Sequence, residues 1–411
     1  MRIIVPENVS LVSGILKKNG YEAFLAGGCV RDSVMGAVPH DYDIATNARP
    51  DETKKCFEGF RLIETGIKHG TVTVVSGGSN IEITTYRVDG CYKDHRRPES
   101  VSFADGIADD LSRRDFTVNA MAYSEKTGIV DLFGGCEDIS RRVIRCVGVP
   151  SERFGEDALR IMRAVRFASV LGFSTDGETA RAMHDMKELL ENISAERIFS
   201  ELKKMLCGVS AGDIIREFYD VIAAAVPGLS ALYDSDIRSV TASRIEYADN
   251  IIEVRLALLL LSAGKNAAED ILRSLRSDNR TVKTVSRLTA YSDSVPSADR
   301  IAIKKLLSVL GEQELSLLIS VMRSIALAGG DASGADTADE MRAETARIIS
   351  SGMCFSAASL KFNGDDAAKL GFKGKQTGTI IKYLLDEVIC ERLPNEREAL
   401  AAAALNKKQE I

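Results

Sequence analysis

Two aspartates separated by one residue follow a pair of glycines near the start of the chain. Residues 26–32 (AGGCVRD) precede residues 41–44 (DYDI). If the second segment is extended, Asp41 and Asp43 project from the same face, where their like charges repel. A divalent cation is the usual compensation, and Mg²⁺ is commonly held by one or two carboxylates together with substrate phosphates. The spacing therefore indicates a magnesium site that acts on a phosphorylated substrate.

The glycine pair could hold part of that substrate. Two glycines that open a helix allow backbone N–H groups to approach a phosphate, and the helix N-terminus favours the anion. Gly28 would lie at this turn, and Arg31 in the next turn could add a fixed cation. Glu82 could supply a third carboxylate if its strand adjoins the segment with Asp41 and Asp43. The glycine pair, the two aspartates and the strand carboxylate are each common in turns or on solvated strands. It is their order along the chain that makes a functional interpretation specific.

Short β-branched runs and helical patterns would position these residues. Residues 70–75 and 81–86 predict two strands, joined by a hairpin loop at residues 76–80. Residues 9–19 predict a helix that ends before Gly20. From about residue 151 onward, apolar residues recur at helical spacing and strand signals are weak. A mixed α+β region is therefore expected to precede an all-helical one.

Composition limits the class of protein. The chain has 411 residues, with 53 Lys and Arg against 59 Asp and Glu, which gives a formal charge of -6. Its length predicts roughly two to four domains. Polar stretches at residues 291–299 and 329–339 are candidates for a domain boundary and a loop. Because the net charge is negative, a phosphate-binding surface must be a local basic patch.

Three features favour a soluble cytoplasmic protein with no membrane partner. The first residues show no signal-peptide pattern. The longest strongly apolar run, residues 256–261, is far shorter than the roughly 20 residues that a membrane helix requires. The eight cysteines form no Cys-x-x-Cys pair, which favours reduced thiols over a disulfide framework or a zinc site.

These motifs resemble those of the nucleotidyltransferases that include tRNA CCA-adding enzymes and bacterial poly(A) polymerases. The likeness continues through residues 89–98, 109–120 and 156–167, and residues 373–400 resemble the C-terminal segment of bacterial tRNA nucleotidyltransferases. The resemblance implies a polymerase-β-like head with a mixed sheet, followed by an all-α neck, body and tail. The expected boundaries are 1–138 for the catalytic head, 139–207 for the base-recognising neck, 208–295 for the body and 296–411 for the tRNA-binding tail.

The resemblance also implies roles for individual residues. Asp41 and Asp43 would bind Mg²⁺ and act with Glu82 as the catalytic carboxylates. The residues expected to bind the nucleotide are Gly28, Arg31, Arg114, Asp115, Asn119, Asp157, Arg160, Arg163 and Arg166. A further group, Asp94, Arg96 and Arg97, falls in what resembles the flexible loop of the family. Without the upstream motifs, these charges would be interpreted as ordinary ion pairs, for example between Glu156 and Arg160.

Asp157 and Arg160 suggest how a base could be selected. They are three residues apart in a helix predicted to begin at Glu156, so they would share a face. Cytosine and adenine each present an amino donor beside a ring-nitrogen acceptor, which a carboxylate and a guanidinium match. Guanine and uracil present a carbonyl there, and such mismatches cost on the order of 10⁴-fold in selectivity at sites built for the hydrogen bond. Protein side chains would then replace a nucleic-acid template.

The resemblance therefore implies template-independent addition of C, C and A from CTP and ATP to the 3′ acceptor end of tRNA, with release of pyrophosphate. An intact loop at residues 89–98 favours CCA addition over CC-only addition. Residues 65–71 lack the basic-aromatic element associated with bacterial poly(A) polymerases, which favours CCA addition over poly(A) synthesis. A-only addition stays open as an alternative. A non-catalytic RNA-binding protein with this fold would be expected to have lost a metal carboxylate or the glycine turn. No histidine follows His184, which excludes an appended His-Asp phosphohydrolase site in the C-terminal region.

Overall fold

The computed structural model describes residues 3–89, 101–104, 106–229, 232, 234–292 and 298–408. The chain divides into two compact units, Met1–Tyr233 and Asp234–Ile411. In the described residues, strands occur in the first unit and the second unit is helical, which confirms the predicted α+β head and helical remainder. The finer division into head, neck, body and tail stays a prediction.

The elements of the first unit are given in chain order. Its strands are β1 Phe24–Ala26, β2 Asp43–Thr46, β3 Arg61–Ile63, β4 Thr71–Ser76, β5 Ser79–Thr85, β6 Arg87–Asp89, β7 Val101–Phe103, β8 Met121–Ser124, β9 Gly128–Asp131, β10 Val143–Ile144 and β11 Ser174–Thr175. Its helices are α1 Glu7–Lys18, α2 Gly28–Val34, α3 Pro50–Cys56, α4 Ile107–Ser112, α5 Gly135–Arg141, α6 Pro150–Glu156, α7 Leu159–Leu171, α8 Gly177–Asp185, α9 Ala195–Leu206, α10 Ala211–Glu217 and α11 Tyr219–Ala225.

A mixed sheet forms the centre of the first unit. Its strand order is β3-β4-β5-β2-β1-β8-β9. Neighbouring strands are antiparallel except for β2 and β5, which are parallel. The register of that parallel pair places Asp43 opposite Glu82. The sheet therefore brings together the two segments whose adjacency the sequence left open.

The predicted hairpin is confirmed, with a shorter turn than expected. Val72 and Val74 on β4 are buried, and Thr71 and Thr73, which alternate with them, are partly exposed, as in a strand with one face in the core. Ser76 pairs with Ser79, which leaves Gly77 and Gly78 as the turn. Both glycines have positive φ, 57° and 78°, which suits a two-residue hairpin turn.

The helix predicted to begin at Glu156 is interrupted where base selection was expected. Helix α6 ends at Glu156, Asp157 is extended, and α7 begins at Leu159. The Asp157 carboxylate accepts a hydrogen bond of 3.1 Å from the Leu159 amide, so it caps the start of α7. The prediction of one continuous helix from Glu156 is therefore wrong, because an aspartate that caps a helix end competes with continuation of the helix.

The described part of the second unit consists of helices. They are α12 Ser235–Glu246, α13 Ile252–Leu260, α14 Lys265–Ser274, α15 Asn279–Tyr291, α16 Arg300–Ala328, α17 Ala332–Ser350, α18 Gly364–Lys369, α19 Lys375–Ile389 and α20 Arg397–Lys407. Gly311 has φ 75° and ψ 173°, which breaks α16 into two segments. Within the described residues, no helix is both long and apolar enough to span a membrane.

The loop predicted at residues 329–339 is wrong beyond Asp331. The Asp331 side chain accepts a hydrogen bond from the Gly334 amide and caps α17, which begins at the next residue. Ala335, Ala338 and Met341 are buried along that helix, so a sparse apolar stripe among polar residues was missed. The boundary predicted at residues 291–299 includes residues 293–297, which lie outside the described part of the chain.

Candidate active site

Three carboxylates lie at the centre of the sheet. Asp41 lies two residues before Asp43, which opens β2, and Glu82 faces Asp43 from β5. Asp43 keeps exposed surface, yet the protein around its carboxylate raises its pKa to about 6, first through desolvation and then through repulsion by Glu82. Arg114 opposes this increase and Asp41 adds to it. The charges of these four side chains are therefore coupled.

This donor set suits a divalent cation that shares its coordination with a substrate. Excess negative charge is evident from the repulsion that Asp43 experiences, and a cation would relieve it. Among the described residues, no group of three His, Cys, Asp or Glu side chains is close enough to hold a metal by itself. Mg²⁺ needs no such cage, because it usually binds one or two carboxylates and completes its shell with phosphate oxygens and water.

The glycine turn lies against Arg114. Gly27 has φ 80°, which favours glycine, and a Cβ atom there would be 2.5 Å from Nη1 of Arg114, so a larger residue would also displace that guanidinium. Gly28 opens α2, and a Cβ atom added there would make an ordinary van der Waals contact with Nη2 of Arg31 at 3.6 Å. Arg114 donates to the Asp110 carboxylate at 3.0 Å and to the Asn119 carbonyl at 3.2 Å. The turn, the arginine and the carboxylates thus form one connected region.

A chain of hydrogen bonds joins four of the expected nucleotide-binding residues. Arg31 donates to the Asn119 side-chain oxygen at 2.7 Å, and the Asn119 amide donates to Asp115 at 3.3 Å. Arg163 donates through Nε to the other Asp115 oxygen at 2.8 Å. Burial opposes ionisation of Asp115, but Arg163 and these hydrogen bonds outweigh it and lower the pKa to about 2. The network is therefore fixed and polar.

The remaining expected residues have partners elsewhere in the first unit. Arg166 forms an ion pair with Glu201, with 2.8 Å between Nε and the carboxylate oxygen. Asp157 pairs with Arg197 at 3.3 Å. Arg160 contacts the Glu156 carboxylate and donates to the Arg113 carbonyl at 2.9 Å.

Asp157 and Arg160, the pair expected to select the base, each have other partners. The ordinary ion pair of Glu156 with Arg160 is present, and Asp157 is engaged by a different arginine. The Asp157 carboxylate is therefore oriented by Arg197, and the Arg160 guanidinium by Glu156, and not by each other. The loop residues Asp94, Arg96 and Arg97 lie outside the described part of the chain.

The structure adds residues that the sequence analysis did not single out. Asp110 is 1 % exposed and holds both Arg113 and Arg114. Its spacing of three and four residues from those arginines was a usable signal for a local ion-pair cluster. Glu201 and Asp32 also anchor site arginines. Nothing in the local pattern marked Glu201, because its partner lies in another helix.

Two family models match segments of the chain. Residues 23–145 match the poly A polymerase head domain, and residues 172–229 match a probable RNA- and SrmB-binding site of polymerase A. The first match contains the carboxylates, the glycine turn and the Arg114 to Asn119 segment. The predicted resemblance to nucleotidyltransferases is therefore confirmed.

Relatives match over almost the full length. A CCA-adding enzyme from Geobacillus kaustophilus is 37% identical over 399 residues, which are 96% of this chain and 95% of the relative. One from Levilactobacillus brevis is 36% identical over 405 residues, 97% and 98% of the two chains. The crystal structure of the Bacillus stearothermophilus CCA-adding enzyme in complex with CTP is 30% identical with a TM-score of 0.83, covering 99% of each chain. The protein described here belongs to the family of CCA-adding enzymes.

Proposed function

We propose that this protein is a template-independent CCA-adding tRNA nucleotidyltransferase. It adds C, C and A from CTP and ATP to the tRNA 3′ end and releases pyrophosphate. The observation that supports this most directly is the parallel register of β2 and β5, which sets Asp43 opposite Glu82 within the field of Arg114. The family relationship supports the choice of substrate, because the Bacillus stearothermophilus relative was crystallised with CTP and another relative, from Thermotoga maritima, with tRNA.

Nucleotidyltransferases generally use a divalent metal, and we propose Mg²⁺ with Asp41 and Asp43 as its protein ligands. Bound there, the ion would lower the pKa of the terminal ribose hydroxyl and balance the charge of the triphosphate and of the departing pyrophosphate. Glu82 is the neighbouring carboxylate available to accept the hydroxyl proton.

The protein's own groups would mainly position the reactants and stabilise charge. Gly28 and Arg31 hold phosphate oxygens, and Arg114 contacts the nucleotide from the opposite side of the glycine turn. Asp115 and Asn119 hold ribose hydroxyls through their fixed carboxylate and amide. Because these side chains already bond one another, binding requires little reordering of them.

Base selection is assigned to the junction between α6 and α7. Asp157 would accept from the exocyclic amino group of cytosine or adenine, and Arg160 would donate to the adjacent ring nitrogen. Arg163 and Arg166 would contact ribose or phosphate. The helical C-terminal region would dock the tRNA by shape and phosphate contacts, as structured RNA generally requires.

A cytoplasmic location is also proposed. The substrates named above are found there, and the seven cysteines of the described chain are free thiols, which agrees with a reducing compartment.

One extension assay tests the proposed activity. Protein and Mg²⁺ are incubated with tRNAs that end before CCA, after C, or after CC, and CTP and ATP are supplied singly and together. CCA addition requires that both nucleotides together complete every tRNA and that ATP alone extends only the tRNA ending in CC. Extension of that tRNA alone under all conditions would indicate A-only addition, and arrest after CC would indicate CC-only addition. Long adenosine tails would indicate a poly(A) polymerase, and tRNA binding without extension a non-catalytic protein.

A further inference from the structure

Three arginine side chains surround a single phenylalanine ring in the first unit. The guanidinium carbons of Arg166, Arg31 and Arg163 lie 3.9, 5.3 and 5.4 Å from the centre of the Phe167 ring. All three distances fall within the range of a cation–π contact. Arg163 and Phe167 are four residues apart on α7, whereas Arg31 comes from α2.

Each arginine also has a carboxylate of its own. Arg31 pairs with Asp32 at 2.7 Å, Arg163 with Asp115, and Arg166 with Glu201. These acids come from different elements, so the ion pairs orient the arginines individually. What the three guanidinium groups share is a contact with one ring.

The ring is held firmly enough to act as a support. Phe167 is 9 % exposed, and it packs edge to face against the buried Phe116, with ring centres 5.7 Å apart. The like charges around it are crowded. Desolvation, opposed by Glu201, lowers the pKa of Arg166, and the neighbouring Arg163 and Arg31 lower it further. The negative face of an aromatic ring partly offsets such repulsion without adding a charge that would compete with an anion.

We propose that Phe167 is a positioning residue that gathers Arg31, Arg163 and Arg166 into one array for the triphosphate of the incoming nucleotide. This inference rests on the function proposed above. A planar guanidinium fork matches phosphate oxygens, and several forks held at one place match a chain of phosphates. Phosphates carry no base identity, so the array serves CTP and ATP alike.

Replacement of the ring separates this role from simple packing. Phe167→Leu retains an apolar side chain but removes the aromatic face, and Phe167→Tyr retains the face. Phe173→Leu is the matched control, because Phe173 is also buried and lies 5.9 Å from the Arg142 guanidinium, outside the proposed site. If Phe167→Leu does not fold, Phe167→Met replaces it, since the flexible methionine side chain fills irregular space.

The measurements are direct binding of CTP, ATP and cytidine, together with KM, kcat and thermal stability. Loss of the ring is expected to weaken CTP and ATP binding by similar factors, roughly 3- to 30-fold for a partly desolvated cation–π cluster. Cytidine binding and the rejection of UTP and GTP should stay unchanged. In the kinetic measurements, Phe167→Leu should raise KM more than it lowers kcat. Phe167→Tyr should have most of the wild-type affinity for CTP and ATP.

Three results would overturn the inference. The first is a CTP affinity of Phe167→Leu equal to that of the Phe173→Leu control. The second is a loss of CTP affinity in Phe167→Tyr as large as that in Phe167→Leu. The third is a loss of cytidine affinity in Phe167→Leu as large as its loss of CTP affinity. Failure of the proposed function would give a different result. The wild-type protein would then bind CTP more tightly than Phe167→Leu does, but it would not extend tRNA.

Discussion

Replacement of Asp110 by alanine should remove the carboxylate that holds Arg113 and Arg114 beside the proposed nucleotide site. Asp110 is 1 % exposed and accepts hydrogen bonds from Nε of Arg113 at 3.0 Å and from Nη2 of Arg114 at 3.0 Å. Removal of one partner from a buried ion pair typically costs about 3–5 kcal/mol. The side chains of Arg113 and Arg114 are 17% and 21% exposed, so water can partly replace the lost carboxylate. We therefore expect a loss of about 2–3 kcal/mol in the free energy of unfolding.

The neighbouring Asp109 provides the matched control. It lies in the first turn of the same helix, α4, but is exposed. Asp109→Ala should change the free energy of unfolding by about 0.5 kcal/mol or less. Stability is measured by urea unfolding. The transition to follow is the one that shifts when CTP is added, because ligand binding identifies the unit that contains the site.

The functional consequence concerns Arg114, which Asp110 holds against the glycine turn. In Asp110→Ala the KM for CTP and ATP should rise, and the double variant Asp110→Ala/Arg114→Ala should be less impaired than the sum of the single variants. Equal stability of the Asp110 and Asp109 variants, or strictly additive effects in the double variant, would refute the reasoning.

Three further predictions concern the proposed metal ligands and the residue proposed to select the base. Asp41→Ala should abolish nucleotide transfer and leave tRNA binding mostly intact, whereas Asp51→Ala, on the exposed side of α3, should leave both unchanged; near-normal turnover of the Asp41 variant rules out the metal assignment. Asp157→Ala should relax base choice, which is measured as incorporation of UTP and GTP, and unchanged rejection of both removes the templating role. Since the pKa of Asp43 is raised to about 6, its carboxylate binds a proton as pH falls through that value, and the proton competes with the metal. Apparent Mg²⁺ affinity should therefore weaken roughly tenfold per pH unit below about pH 6 and stay constant above it. Titration of Mg²⁺ binding between pH 5 and 8 measures this dependence. An affinity that does not change with pH over that range contradicts the prediction.

Much of this protein could be predicted from local sequence. The hairpin of β4 and β5 is encoded by alternation of buried and exposed residues around two glycines, and α1 by an apolar stripe that ends before Gly20. The order of the glycine turn, Asp41 and Asp43 was specific enough to indicate phosphate and metal chemistry before any contact was known. These signals are accessible because each depends on residues only a few positions apart.

Other features depended on contacts between distant residues. The pairing of β2 with β5 is parallel, so its register is set by the sheet and not by a turn. The bond from Arg31 to Asn119 spans 88 residues, and that from Arg163 to Asp115 spans 48. The break in the helix at Asp157 reversed a local expectation, because a capping hydrogen bond outweighed helical continuation.

The sequence by itself therefore determined which side chains could bind a nucleotide and a metal, since residue type and short-range periodicity are local properties. Only the tertiary structure decided which of them meet, and it gave Arg31, Arg163 and Arg166 each a specific carboxylate and a shared ring at Phe167. Partner choice is decided by packing over the whole unit, where burial of a charge is tolerated only when an opposite charge or a hydrogen bond is brought to it.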